Sequence, residues 1–296
     1  MIFLFGSGRD GPVRATARAL KDASVPFVFA DQDEPADRAW LEGDGPDHAC
    51  LVLDGAAFPL GERSAAYARL ERPVPTDHAA QRFVDRITDW LEVTGALVVN
   101  RPSLMATNYS KPGQLQVIAR AGFLVPDTLI TNDPDRVRAF AREHARVVFK
   151  SISSVRSIVT ELTRDADLSR VRWSPVQFQE FVEGLNVRVH VIGRDVFATA
   201  IETDTIDYRY AQRYGSHVRY APHELDSTVA DACRHLAAEL GLMIAGLDLK
   251  FRADGAPYCF EVNPSPAFSH YEDLAGQQMS DAVVDLLREG PTSPRH

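Results

Sequence analysis

The stretch Ala245-Gly-Leu-Asp-Leu-Lys-Phe-Arg-Ala-Asp-Gly-Ala-Pro-Tyr-Cys-Phe-Glu-Val-Asn263 reads as two strands joined by a turn. Asp254-Gly255 is a preferred dipeptide for a two-residue hairpin loop. With those residues as the loop, Ala253 opposes Ala256 and, counting outward, Asp248 faces Glu261. Side chains alternate along a strand, so Asn263 shares the face of Glu261. The other face carries Leu247, Leu249, Phe251, Tyr258, Phe260 and Val262, an apolar side for a core. Two carboxylates directly opposite repel by a few tenths to about 1 kcal/mol. A divalent cation would compensate, since two carboxylates and an amide oxygen are hard ligands suited to magnesium held jointly with phosphates. The alternative is a solvated face on which Lys250 and water relieve the repulsion.

The 296 residues are 45% hydrophobic and 25% charged, the profile of a soluble globular protein with two domains or one large one. The net charge of −9 argues against a nucleic-acid groove as the main surface. No apolar run reaches the length of a membrane span, and the opening Met-Ile-Phe-Leu-Phe is too short for a signal-peptide core. Cys50, Cys233 and Cys259 are odd in number and widely spaced, which suggests neither a disulfide framework nor a zinc cluster. The expected compartment is the cytoplasm, with no nucleic acid and no membrane as partner.

Near the N-terminus, Gly6-Ser-Gly-Arg-Asp-Gly11 fits G-x-G-x-x-G, the dinucleotide-binding turn, and a second strand-like run ends at Asp31. Strands are expected at 2–6, 26–31, 49–53 and 96–100, with helices at 12–23 and 77–94. That alternation implies a parallel sheet covered by helices, with 55–75 as a surface connection or a small excursion. From Arg101 the pattern changes. Helices are expected at 111–122, from Asp133-Pro134 onward and at 227–241. Strands are expected at 147–150, 158–162, 176–182, 186–192, 195–203, 245–252 and 257–263. Hairpin turns such as Gly193-Arg194 make this part largely antiparallel.

Several motifs in order resemble the ATP-grasp superfamily, most closely its RimK-type ribosomal-protein glutamate ligase branch and the related graspetide macrocyclases. The match rests on Glu261-Val-Asn-Pro-Ser-Pro266, Gly246-Leu-Asp248, Gln179-Glu-Phe-Val-Glu-Gly with Asn186-Val-Arg188, and the spacing of Lys111 and Lys150. The resemblance implies an α/β (α+β) ATP-grasp fold. Residues 1–103 would be a Rossmann-like pre-ATP-grasp domain, 104–172 a central subdomain acting as nucleotide lid, and 173–290 a C-terminal subdomain with a largely antiparallel sheet.

It also implies the roles. Lys111 and Lys150 would contact phosphates, and so would the turn after Lys150, with Ser153 and Arg156. That turn is serine-rich where relatives are glycine-rich. Gln179, Glu180 and Val182 would form the adenine-reading hinge, largely through backbone. Asn186, where relatives often carry an acid, would hold the ribose. Arg188 would stabilise charge on the phosphates or the acyl phosphate. Arg209 lies in Ile206-Asp-Tyr-Arg, similar to the Asp-Trp-Arg region of graspetide ligases, and would face the reacting groups. Asp248, Glu261 and Asn263 would hold Mg2+. Ala267 stands where relatives commonly have glycine. His190, His217 and His270 receive no role as bases.

The implied reaction is ATP-dependent ligation of a carboxylate to an amine or hydroxyl through an acyl phosphate, on a peptide, an amino acid or a small carboxylate. A homodimer or homotetramer is the family expectation. Two other readings stay open: a Rossmann oxidoreductase using Gly6, Gly8, Gly11 and Asp31 with NAD(P) or flavin, and a non-catalytic peptide-binding scaffold.

Overall fold

Four β-sheets account for the strands of the described residues. The computed structural model describes residues 1–34, 38–71, 77–152, 158–206, 208, 215 and 217–290. The first sheet contains β1 (Ile2–Gly6) and β2 (Phe27–Asp31). A meander of β3 (Ala39–Gly43), β4 (Ala49–Leu53) and β5 (Ala56–Leu60) is inserted, and the chain then returns with β6 (Ala65–Arg69) and β7 (Leu97–Val99). The order β2-β1-β6-β7 is parallel throughout. The run in β1 is buried at all five positions because both faces of the sheet are covered. Helix α1 (Gly11–Asp22) starts on Asp10, whose side chain accepts from the Val13 amide, with Pro12 in the first turn. Helix α2 (His78–Val93) lays Phe83, Ile87 and Trp90 against Phe3, Phe5 and the meander.

Two expectations need correction. The strand at 49–53 belongs to the antiparallel meander rather than to the parallel sheet. The stretch 55–75, expected as a connection, contains β5 and also β6, which pairs directly with β1. Strand β6 reads Ala-Ala-Tyr-Ala-Arg, poor in β-branched residues, so its strand character comes from its neighbours and not from local propensity.

The glycine turn is filled by the chain itself. The Gly8 amide donates to Asp31 Oδ1 at 2.9 Å, and a Cβ on Gly8 would lie 2.3 Å from Asp31 Oδ2. Asp33 takes the Ser7 hydroxyl and the Arg9 guanidinium. A Cβ on Gly11 would meet Ser269 Oγ at 2.7 Å. These glycines serve close packing, and carboxylates stand where a dinucleotide phosphate would have to approach.

After a 3-10 turn (Pro102–Tyr109), α3 (Lys111–Arg120) leads to the second sheet. It comprises β8 (Thr128–Thr131), β9 (Val147–Ser151), β10 (Thr160–Glu161) and β11 (Val176–Glu180), antiparallel in the order β10-β9-β11-β8. Helix α4 (Pro134–Glu143) packs on it around Val137 and Phe178. The third sheet has the order β14-β13-β12-β15-β16, all antiparallel. Its strands are β12 (Leu185–Ile192), β13 (Asp195–Thr203), β14 (Val218–Pro222), β15 (Ile244–Phe251) and β16 (Pro257–Asn263). Helix α5 (Ser227–Glu239) and α3 cover one face, where Val187, Val189, Leu247 and Val262 are buried with Ile118 and Leu236. Helices α6 (Phe268–Ala275) and α7 (Met279–Glu289) join the first sheet and the third in one core. We propose the segments 1–103, 104–172 and 173–290 as the domain division. Packing crosses it, since α3 lies in the core of the third sheet and β11 in the second sheet.

The β15–β16 hairpin has Asp248 opposite Glu261, but it arrives there by another route. The loop has three residues, Ala253 to Gly255, because the Arg252 amide donates to the Ala256 carbonyl and Gly255 takes φ +81°. That loop alone would set Asp248 against Phe260 and turn Glu261 toward the core. A β-bulge at Phe260 corrects the register by one residue: Leu249 faces Cys259, and Asp248 then faces Glu261. The apolar face is changed accordingly. Cys259 is fully buried in the core, whereas Tyr258 and Phe260 leave it.

Two side chains tie the first sheet to the third. Asn100, after β7, donates to the Ile244 and Pro264 carbonyls and accepts the Met243 and Ile244 amides, at 2.7–3.1 Å. Arg69, at the end of β6, donates to Ser265 Oγ, the Pro266 carbonyl and Asp10. Asn100→Ala would strand buried carbonyls and amides, and unsatisfied groups cost about 1–3 kcal/mol each. We expect the variant to lose about 3 kcal/mol or more in urea unfolding. A loss below about 0.5 kcal/mol would show that water replaces the amide.

Candidate active site

The face of the third sheet opposite α3 and α5 presents its side chains in three cross-strand rows. The first is Ile201, Asn186, Lys250 and Tyr258. The second is Thr199, Arg188, Asp248 and Glu261. The third is Phe197, His190, Gly246 and Asn263. Successive rows are two residues apart along β12, β13 and β15, about 7 Å, and on β16 the bulge sets Tyr258 and Glu261 three residues apart. Strands β9 and β11 of the second sheet face this surface, and a cleft lies between them. Lys150, Gln179, Glu180, Val182, Asn186, Arg188, Asp248 and Glu261 line it.

The two facing carboxylates are compensated by three cations. Arg188 Nη1 donates to Asp248 Oδ1 at 2.5 Å. Lys111 and Lys150 bring their Nζ atoms to 4.0 and 3.9 Å from Glu261 Oε2, both largely buried. Lys111 is the first residue of α3, behind an N-cap made by Ser110, so a cation at an unfavourable helix end is answered by Glu261. Lys250 does not join this cluster. Its Nζ lies 4.9 Å from the ring centre of Phe181 and 5.9 Å from that of Phe260. Burial, with the nearby Arg146, pulls its pKa below the usual lysine value.

Arg188 is 7% exposed, and space for it exists because residue 246 is glycine. A Cβ there would stand 2.0 Å from Arg188 Nη2 and 2.7 Å from Pro266 Cβ. Burial disfavours the guanidinium charge, but Asp248, Tyr271 and Tyr208 outweigh it and raise its pKa above the ordinary value. Its Cζ lies 5.8 Å from the Tyr271 ring, and the Tyr271 hydroxyl shares a 3.1 Å hydrogen bond with that of Tyr208. Burial first and Asp248 second push the Tyr208 phenol well above its usual pKa, so it stays protonated. His190, fully buried 5.0 Å from the Tyr271 ring, has no hydrogen-bond partner on either ring nitrogen among the described residues. Burial and Arg188 lower its pKa well below 6.5 and keep it neutral.

At the other end of the cleft, the amides of Glu180 and Phe181 donate to the carbonyls of Asp127 and Arg146. Gln179 is buried, and its Nε2 donates to Thr128 Oγ1. Asn263 lies one row beyond Glu261, where its Oδ1 accepts the Ser265 amide, so the three residues expected to hold Mg2+ extend over two rows. Ser153, Arg156 and Arg209 lie outside the described residues. Sequence reasoning missed Lys250, Tyr208, Phe260 and Gly246 as parts of the site. For Lys250 a signal existed, since it sits two residues from Asp248 on the same face. A glycine inside a strand likewise signals close approach.

The family model for the RimK-like ATP-grasp domain matches residues 109–287. The chain belongs to that family, and it is an ATP-grasp ligase of the ADP-forming carboxylate–amine class. A probable alpha-L-glutamate ligase of Aliivibrio fischeri (strain MJ11) is 27% identical over 220 residues, covering 69% of this chain and 71% of the relative. The ATP-grasp ligase PsnB, solved with a minimal precursor, Mg and ADP, superposes with TM-score 0.81 at 27% identity, covering 97% of this chain and 96% of that one. PsnB solved with precursor peptide PsnA2 and AMPPNP gives TM-score 0.79 at 26% identity, with the same coverage. These findings support the ligase reading and lend nothing to the oxidoreductase, whose glycine turn is packed with the chain's own carboxylates.

Two predictions follow from the packing around Arg188. Gly246→Ala should displace the guanidinium from Asp248 and cost about 1–3 kcal/mol through overpacking. A crystal structure of the variant with the pair intact would refute the close-approach role of Gly246. Because native His190 stays neutral, the unfolded chain binds a proton there below about pH 6.5 that the native chain does not. Its contribution to stability is therefore present above that pH and declines as the pH falls. His190→Phe should flatten the acid side of the stability curve, measured by urea unfolding at several pH values. Equal slopes for the two proteins would contradict the assignment.

Proposed function

We propose that this chain binds ATP with magnesium in the cleft, activates a carboxylate as its acyl phosphate, and passes the acyl group to an amine or hydroxyl. The observation that carries the reading is the second row. Arg188, Asp248 and Glu261 stand side by side with Lys111 and Lys150 on the same carboxylate. Three cations against two carboxylates leave a local positive excess that a polyphosphate would satisfy. The donor set fits magnesium, with carboxylate oxygens on Asp248 and Glu261 and an amide oxygen on Asn263. When bound, the ion would neutralise charge on the phosphates.

The chain's own residues carry the rest. Lys111, Lys150 and Arg188 hold phosphate oxygens in line with the incoming carboxylate, since phosphoryl transfer depends mainly on positioning and charge neutralisation. Ser153 and Arg156 would close over the phosphates. The Val182 amide and the Glu180 carbonyl would read the adenine edge, because the Glu180 and Phe181 amides are already engaged in the fold. Asn186 would accept from a ribose hydroxyl. Arg209 would meet the reacting carboxylate or its acceptor. In the second step the attacking nitrogen or oxygen loses its proton as the C–O bond to phosphate breaks, releasing inorganic phosphate. A peptide or amino acid is the favoured substrate class, supported by the glutamate ligase relative and by the precursor peptide bound in PsnB. A cytoplasmic homodimer or homotetramer completes the proposal.

The test is a thermal-shift titration with ATP, ADP and NADH, each with and without magnesium, on wild type and Glu261→Ala. A ligand that binds the native state adds about 2.7 kcal/mol at 100 times its Kd. We expect adenine nucleotides to raise the melting temperature by several degrees, magnesium to enhance the shift, and Glu261→Ala to abolish the enhancement. Stabilisation by NADH alone would overturn the reading. Phosphate release with L-glutamate or carboxylate-bearing peptides would then identify the reactants.

A further inference from the structure

Of the three lysines around the cleft, Lys111 and Lys150 share Glu261, and the third has a different environment. Among the described residues no carboxylate oxygen lies within 4.0 Å of Lys250 Nζ. Two aromatic rings stand near it instead, Phe181 at 4.9 Å and Phe260 at 5.9 Å. Ring faces attract an ammonium electrostatically but cannot accept its three N–H groups as an oxygen or ring nitrogen would. Arg146 lies over the same Phe181 ring at 3.8 Å, so a second cation already draws on it. Lys250 is half-buried on the wall of the cleft; Glu183 attracts it only from beyond 4.0 Å, so among the described residues this cation faces a ligand space without a hydrogen-bond acceptor.

Its place in the sheet says which part of a ligand it would meet. Lys250 is paired across the strands with Asn186, so the two side chains leave the same face about 5 Å apart. Phe181 belongs to the hinge segment, and Asp248 with its phosphate-binding cations lies one row away. Lys250 therefore sits at the nucleoside end of the cleft. Neither the composition of the hairpin nor its carboxylates require a cation at this position.

We propose that Lys250 reads the nucleoside half of the bound nucleotide, its ammonium donating to an acceptor on the purine ring or the ribose. The inference rests on the ATP reading above. An ammonium only donates, so the candidates are the ring nitrogens left free by the hinge and the ribose oxygens. Asn186 can accept where Lys250 donates, and the pair together covers both polarities of a ribose hydroxyl. The bulge at Phe260 supports the arrangement, because it brings that ring out of the core and beside the ammonium.

The experiment is a set of dissociation constants, by calorimetry with magnesium at pH 7.5, for wild type, Lys250→Met and Lys250→Arg. The ligands are ADP, pyrophosphate, and the 2′-deoxy, 3′-deoxy, 3-deaza and 7-deaza analogues of ADP. Lys250→Met should weaken ADP about 10- to 100-fold, the range for a lost charge-assisted hydrogen bond. It should leave pyrophosphate unchanged, while Lys250→Arg retains most of the affinity. For the analogue that lacks the contacted acceptor, wild type and Lys250→Met should bind equally. Unchanged ADP binding in Lys250→Met would overturn the proposal. So would an equal loss with ADP and pyrophosphate, which would make Lys250 a phosphate cation, or an equal loss with all four analogues, which would assign the effect to packing of Phe181. If wild type binds neither ADP nor pyrophosphate, the ATP reading itself fails. Binding of both by wild type with no change in Lys250→Met removes this inference alone.

Discussion

Asp248 and Glu261 face each other across one strand pair, and most of the site is arranged around that repulsion. As a bare Coulomb energy at about 5 Å and an effective dielectric near 20, two such charges repel by roughly 3 kcal/mol, of which a few tenths to about 1 kcal/mol is the net cost in a strand pair. An ammonium about 4 Å from a carboxylate recovers about 4 kcal/mol on the same scale, and there are two on Glu261 and a guanidinium on Asp248. Attraction wins, so the pair persists without any added ion. The residual charge is positive at the place where phosphates would enter. Each cation comes from a different element: Lys111 from the start of α3, Lys150 from β9 and Arg188 from β12. The carboxylates thus fasten the second sheet and α3 to the third sheet as well as preparing the site.

The first sheet contributes no side chain to the lining of the cleft, yet it constrains the site from behind. Asn100 reaches the Ile244 and Pro264 backbone, and Arg69 reaches Ser265 and Pro266, immediately beyond Glu261 and Asn263. Asp10 caps α1 and pairs with Arg69, and Gly11 lets α6 approach through Ser269. The opening glycine motif is therefore a brace that sets the loop after β16. A motif whose spacing matches a cofactor turn performs here a packing role, because the carboxylates of Asp31 and Asp33 occupy its mouth.

The cleft is divided along its length. Charged side chains cluster at the second row, while Val148, Phe181 and Phe260 line the other end beside Lys250. A ligand with a polyanionic tail and a flat, weakly polar head matches that division. Burial sharpens it, since Arg188 stays charged while Tyr208 and His190 stay neutral.

The residue types and order of the site were legible in the chain: the lysines, Arg188, the carboxylates and the hinge segment are local motifs with recognisable spacing. The start of α4 was legible for the same reason, as Asp133 with Pro134 caps the turn that follows. Strand β6 was not, because an alanine-rich segment becomes a strand through its parallel neighbours β1 and β7. The loop of the β15–β16 hairpin was misread as two residues, and the bulge at Phe260 compensated, so Asp248 met Glu261 through a route that short-range rules do not contain. The exchange of Phe260 for Cys259 in the core, the seat for Arg188 over Gly246 and the separation of Lys250 from the other lysines depend on contacts between segments far apart in the chain. The sequence by itself determined which chemical groups are available and on which strand face each begins. Tertiary structure decided their partners, since register, burial and close approach are set by the strands and helices packed alongside.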